Sequence, residues 1–235
     1  MAKVFVIPDV HLKHWMFEEA RNLLKTISCD KVVLLGDLVD DWYQESNLEL
    51  YKKTLEEAAK FMKDHDALFC YGNHDVSYKW EMQESGYSNK ARNTVLNGLN
   101  RLENCVSPER IAFAHRIDQT VFSHAGILEE YVTEYLSDPY MDMDEAIAEI
   151  NEMGSDELWS DISPIWARPQ DAHSGMELFH SELFQVVGHT PVSEPLQQGN
   201  LLTLDTFSTY PDGRPIGDER FVIVDTADGS WEYAD

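Results

Sequence analysis

Positive charge is what this chain has least of. Over 235 residues, 18 Lys and Arg stand against 43 Asp and Glu, a net charge of -25. No Lys or Arg occurs between Arg116 and Arg168, and beyond the latter only Arg214 and Arg220 are basic. Long nucleic acid is excluded as a partner, since such binding rests on neutralising phosphates with Lys and Arg, and an acidic membrane surface is disfavoured for the same reason. The surplus acid reads as a strongly solvated surface. Cysteine is also scarce: Cys29, Cys70 and Cys105 stand alone, in no paired metal or redox spacing. Each reads as a small apolar group in a reducing cytoplasm. No apolar run approaches a membrane span. The amino terminus enters a strand-like run directly, without the charged region, apolar core and cleavage site of a signal peptide. There is no internal repeat, low-complexity tract or composition break. With 43% hydrophobic residues the chain can fill one core. It reads as a single domain over 1–235, with a helical and loop segment within 128–180 placed to cap a site.

What is present is a repeated design. Val4-Phe5-Val6-Ile7 leads into Pro8-Asp9-Val10-His11, and Val32-Val33-Leu34-Leu35 into Gly36-Asp37-Leu38-Val39-Asp40. Ala67–Tyr71 leads into Gly72-Asn73-His74-Asp75, Val121-Phe122 into Ser123-His124-Ala125-Gly126, and Gln185-Val186-Val187 into Gly188-His189-Thr190-Pro191. Each apolar run suits a buried strand and each ends in His, Asp or Asn. Turn chemistry alone explains one such ending. Five point to one site at one edge of a sheet.

The periodicity predicts strands at 3–8, 31–35 and 67–71, separated by amphipathic helices at 14–27 and from Leu48 to Met62, the latter capped by Asn47. Strand, helix, strand, helix, strand is the pattern of parallel pairing, whose ligand sites lie beyond the carboxyl ends of the strands. Further on come a helix over 88–104 and a hairpin of 111–115 with 119–123. Helices at 128–136 and 143–153 precede a loop over Asp156–Asp171. Short strands follow at 184–188, 201–205, 220–225 and 231–233. The expected fold is α/β: two packed mixed sheets flanked by helices.

Asp9, His11, Asp37, Asn73, His124 and His189 offer oxygen and imidazole nitrogen but no thiolate, a set suited to Mn, Fe or Zn. Six groups exceed one four-coordinate site, so two divalent ions sharing a bridging Asp37 is the simplest arrangement. Such a pair, roughly 3.5–4 Å apart, activates water and clamps the oxygens of an in-line displacement at phosphorus. His74, next to Asn73, suits the general acid, oriented by Asp40 or by Asp75, the latter also placed to brace the turn. The histidines His14, His65, His115, His173 and His180 lie outside the motifs and read as surface or hairpin residues, with His173 in reach of a substrate. Trp15, Trp80, Trp159, Trp166 and Trp231 read as packing residues, while Trp42 directly follows a motif and is a candidate contact for a leaving group.

These motifs, in this order, resemble the calcineurin-like metallophosphoesterases, and the resemblance runs from Asp9 to about Asp205. It implies a two-sheet sandwich with helices outside. It also implies one metal on Asp9, His11 and Asp37 and a second on Asp37, Asn73, His124 and His189, with His74 and Asp40 as the acid pair and Asn73 touching both metal and phosphate. Attack by a metal-bridging hydroxide on a phosphomonoester or phosphoanhydride would follow. Ser123–Ile127, Leu158–Asp161, Trp166–Pro169 and Gly188–Pro191 look like the bacterial serine/threonine-phosphatase-type branch, which includes diadenosine polyphosphate hydrolases. A phosphoprotein, a nucleotide or a dinucleoside polyphosphate is the substrate class implied. A phosphodiesterase for a small diester such as a cyclic nucleotide is the alternative, although Pro191 stands where many of those enzymes carry a second histidine. A silent scaffold is a further reading that six intact ligand positions oppose. Asp41 replaces the branch's usual arginine, Pro8 and Leu12 its glycines, and Asp75 its glutamate. Arg168 is the candidate replacement cation, since a guanidinium grips phosphate bidentately. Its other reading is a surface ion pair.

Overall fold

The computed structural model describes residues 1–171 and 175–235. Short runs of Val, Leu, Ile and Phe, buried on both faces, form the strands β1 (Lys3–Ile7), β2 (Lys31–Leu34) and β3 (Ala67–Cys70). Between them run the helices α1 (Trp15–Leu23) and α2 (Leu48–Asp64), and the Asn47 side chain accepts a hydrogen bond from the Leu50 N–H at 3.4 Å to cap α2. The crossovers make β1, β2 and β3 parallel, Val4 facing Lys31 and Val32 facing Ala67. Two further helices follow, α3 (Asn73–Trp80) and α4 (Arg92–Glu103).

The run 111–115 does not form one strand of a hairpin. Ile111–Ala112 is β4, parallel to β3, while Ala114–Ile117 is β5, antiparallel to β6 (Thr120–Ser123) in the other sheet. The chain changes sheets at Phe113, where the side-chain oxygen of Asn151 accepts the N–H groups of Phe113 and Ala114 at 2.9 and 3.0 Å. Asn151 belongs to α6 (Met143–Glu152), which follows α5 (Glu129–Tyr135). A short turn of helix, α7 (Ser155–Leu158), opens the stretch read as loop. The last strands are β7 (Phe184–Val187), β8 (Leu196–Gln198), β9 (Leu201–Thr203), β10 (Val222–Asp225) and β11 (Trp231–Tyr233). β8 escaped the sequence reading because it is an exposed edge strand with one apolar residue.

Two mixed sheets result, ordered β11-β10-β1-β2-β3-β4 and β5-β6-β7-β9-β8. Alternation along β1 sends Val4 and Val6 to the space between the sheets, with Val33, Cys70, Phe122, Val186, Leu202 and Val224. Phe5 and Ile7 face the other way, into the cluster that includes Phe17, Tyr51, Leu55 and Phe61 of α1 and α2. The fold is therefore two packed sheets flanked by helices. None of the helices is long and apolar enough to cross a membrane among the described residues.

Candidate metal centre

The five motifs follow β1, β2, β3, β6 and β7, all at carboxyl ends. Their backbone is unusual. His11 (φ 41°), Asp37 (φ 47°), Asp40 (φ 65°) and His189 (φ 63°) all occupy the left-handed region. Each such residue without special compensation costs roughly 1–3 kcal/mol, and strain of this kind collects at functional sites. Cross-bonding between the turns holds it in place. The Asp37 carbonyl accepts the N–H groups of Val10 and His11 at 3.0 and 2.8 Å. Asp75 accepts the N–H of Leu38 at 2.9 Å and that of Gly72 at 3.0 Å, so it braces two turns at once. Gly188 permits the closest approach, since a Cβ there would overlap Asp9 Oδ2.

Gly72-Asn73-His74-Asp75 is not a free turn but the start of α3. Gly72 is the cap, and Asn73 and His74 are the first helical residues. The helix start aims backbone donors at the site: the His74 N–H donates to Asp37 Oδ1 at 2.9 Å.

Three histidines then show a common device. Each spends one ring nitrogen on a backbone carbonyl: His11 Nδ1 on Asp40 at 2.9 Å, His124 Nδ1 on Leu35 at 2.7 Å and His189 Nε2 on Trp166 at 3.1 Å. A carbonyl only accepts, so those nitrogens carry the hydrogens and the other nitrogen of each neutral ring keeps its lone pair. The free nitrogens converge. His124 Nε2 lies 3.1 Å from His189 Nδ1, 3.0 Å from Asn73 Oδ1 and 3.3 Å from Asp37 Oδ2, and His11 Nε2 lies 3.8 Å from Asp37 Oδ2. The main-chain N–H of His189 donates to Asp9 Oδ1 at 2.9 Å, and Asp9 Oδ2 is buried with no partner. Lone pairs and carboxylate oxygens thus face one another, and a shared cation is what such a set lacks. The groups within mutual reach are Asp37 with His124 and His189, and Asp37 with His11 and His74. Asn73 and Asp9 complete the six residues expected from the motifs.

The electrostatics agree. Burial and the positive neighbours His124 and Arg168 hold His189 well below its usual value, so it stays neutral. Burial works against charge on His124, yet the adjacent Asp37 carboxylate lifts it to about 9. That proton would sit on Nε2, the nitrogen whose lone pair a cation would take in its place. Burial and the nearby Asp205 push Asp9 well up, the response of a carboxylate with too little positive charge around it.

It is Asp40, not Asp75, that meets the His74 ring, at 3.1 Å from Nδ1. Asp40 is itself gripped by the hydroxyls of Tyr51 at 2.7 Å and Tyr78 at 2.5 Å. Burial opposes charge on His74, but the carboxylates of Asp37, Asp40 and Glu84 hold it up at about 10. Arg168 is exposed and donates to Thr190 Oγ1 at 2.7 Å and to the His189 carbonyl at 3.4 Å, which puts it at the rim beside the last motif. Trp42 is half exposed, with its indole N–H donated to the Thr209 carbonyl at 2.8 Å. His173 lies outside the described residues. His115 is buried and donates its Nε2–H to the Phe69 carbonyl at 3.1 Å.

A family model for calcineurin-like phosphoesterases matches residues 2–210. The chain belongs to that family. This calcineurin-like phosphoesterase is therefore a hydrolase acting on phosphoesters with divalent metal. Its fold is similar to the cold-active protein-tyrosine phosphatase of a psychrophilic Shewanella species, at 16% identity and a TM-score of 0.59 over 100% of this chain and 81% of that one. It is also similar to a protein serine/threonine phosphatase of Saccharomyces cerevisiae, at 15% identity and a TM-score of 0.58 over 98% of this chain and 79% of that one. At such identities the likeness speaks for the fold alone. No curated protein matches the sequence.

Five residues near the centre carried no signal in the motifs. Tyr51 and Tyr78 sit on helical faces where an aromatic reads as core. Glu84 lies in a polar loop yet its carboxylate meets Asn73 Nδ2 at 2.6 Å. Asp205, buried and held by Ser208, adds its charge to that around Asp9 and His11. Lys13 is almost fully buried, donating to the His11 carbonyl at 3.4 Å and lying 3.7 Å from Asp41. It pairs with the acid that stands where the resemblance expects an arginine.

Proposed function

We propose that this enzyme hydrolyses phosphomonoesters or phosphoanhydrides at a centre for two divalent cations. Asp9, His11 and Asp37 would hold one, and Asp37, Asn73, His124 and His189 the other. The observation that carries this reading is the convergence of three histidine lone pairs on Asp37 and Asn73, with the opposite nitrogen of each ring tied to a carbonyl. When bound, the pair supplies Lewis acidity and an activated water. The chain's own residues do the rest. The Asn73 amide N–H and the Arg168 guanidinium hold phosphoryl oxygens and orient phosphorus. His74, fixed through Nδ1 by Asp40, delivers the proton from Nε2 to the departing oxygen.

The same reading assigns a helical and loop cap over the site within 128–180. Support comes from Trp166 and Arg168, which touch His189, and from the Ala125 N–H, which donates to the Pro164 carbonyl at 2.7 Å. Trp42, which directly follows the second motif, would then border the leaving group. The serine/threonine-phosphatase-like motifs favour a phosphoprotein, nucleotide or dinucleoside polyphosphate, met in the cytoplasm. Chelation should abolish hydrolysis of p-nitrophenyl phosphate and added Mn should restore it. Activity that survives exhaustive chelation would end the metal reading.

A further inference from the structure

The loop that follows α3 is pinned against the acid pair. Glu81 ends the helix in a left-handed conformation, φ 57°. At the far end Ser88 donates its N–H to Tyr78 Oη at 2.9 Å and its hydroxyl to the Glu45 carbonyl at 2.5 Å. Between them Gly86, φ 92°, comes so close that a Cβ would lie 3.3 Å from Asp40 Cβ and 3.5 Å from His74 Cε1. This geometry turns Glu84 inward, with 6% of its side chain exposed. Oε2 accepts from Asn73 Nδ2 at 2.6 Å, and Oε1 sits 3.4 Å from His74 Nδ1 without a hydrogen bond of its own.

A primary amide presents an oxygen on one side and an NH2 group on the other, and nothing intrinsic to Asn73 decides which faces His124. A carboxylate does decide it, because an ionised Glu accepts and never donates. Burial lifts Glu84 to about 7, while the neighbouring His74 favours the ionised form. With Glu84 taking one N–H, Oδ1 is turned toward His124 and His189, and the second N–H remains for another acceptor. We propose that Glu84 is a positioning residue that fixes the Asn73 amide with its oxygen toward the second cation and one N–H toward a phosphoryl oxygen. The inference rests on the two-cation reading above.

Titrating Mn into the metal-free full chain, followed by calorimetry, tests it apart from turnover. Groups that orient a metal ligand are worth about 10–100-fold in affinity, so Glu84→Ala should weaken one of the two Mn steps by that factor and leave the other nearly unchanged. Glu84→Gln, whose carbonyl still accepts from Asn73, should restore most of the loss. Unchanged binding in Glu84→Ala, equal weakening of both steps, or a Glu84→Gln variant as damaged as the alanine would overturn the assignment. A wild-type chain that takes up no Mn would overturn the two-cation reading itself. Circular dichroism of the metal-free variants reports folding, and one measurement needs no variant. In the metal-free wild type, one Asn73 Nδ2 proton should resonate downfield and exchange slowly, and an unshifted, fast-exchanging amide would contradict the proposal.

Discussion

In the proposed centre, the Asp37, Asn73, His124 and His189 half draws on both sheets and is buried, whereas Asp9, His11 and Asp37 all follow strands of the first sheet and His11 keeps 17% of its side chain exposed. One half can assemble from local turns around β1 and β2. The other exists only when β6 and β7 have docked against β3, because His124 and His189 arrive from the second sheet. A cation held there would tie the sheets together as well as serve chemistry, while a cation in the first half would mainly serve chemistry. Asp37 is common to both, and its strained backbone is bonded from both sides.

Asp37→Ala should therefore have the largest effect, removing a ligand from both halves. An activity loss of at least about a thousandfold is expected, in keeping with the several kcal/mol that paired cations contribute at phosphorus. Activity measured at saturating Mn checks this, and a loss below tenfold would take Asp37 out of the shared position.

His74→Asn comes next. It should cost about 10²–10⁴-fold on an alkyl phosphate, whose leaving oxygen needs a proton, and far less on p-nitrophenyl phosphate. Equal losses on both substrates would remove His74 from the acid role.

The smallest expected effect separates the two halves most cleanly. A ligand that binds only the folded state, present at 100 times its Kd, adds about 2.7 kcal/mol of stability. Adding Mn should raise the melting temperature of the wild type and of His11→Ala, but much less that of His124→Ala. If His11→Ala loses the Mn-dependent rise and His124→Ala keeps it, the assignment of the inter-sheet half is reversed.

How much of this was legible before the structure follows from the same contrast. Short apolar runs ending in Asp, His or Asn announce strand ends, so the five motifs could be placed on one rim. Two packed sheets followed from the strand-helix-strand pattern and the β-type tail. The sheet change at Phe113 was not legible, because Ile111–His115 is one unbroken stretch and the side chain that splits it, Asn151, lies far along the chain. Nor was the start of α3, since Gly, Asn, His and Asp are turn formers and their helical role depends on Asp75 reaching back to Gly72 and across to Leu38. The partners Tyr51, Tyr78 and Glu84 were hidden for a related reason: their role comes from what the fold brings beside them and not from local spacing. Lys13 is similar, a buried cation whose meaning depends on facing Asp41.

Metal stoichiometry tests the central claim most directly. Metal-free protein dialysed against Mn and assayed by elemental analysis should carry two ions per chain, falling to one in His124→Ala. A wild-type chain that holds no metal, or an unchanged count in His124→Ala, would contradict the account.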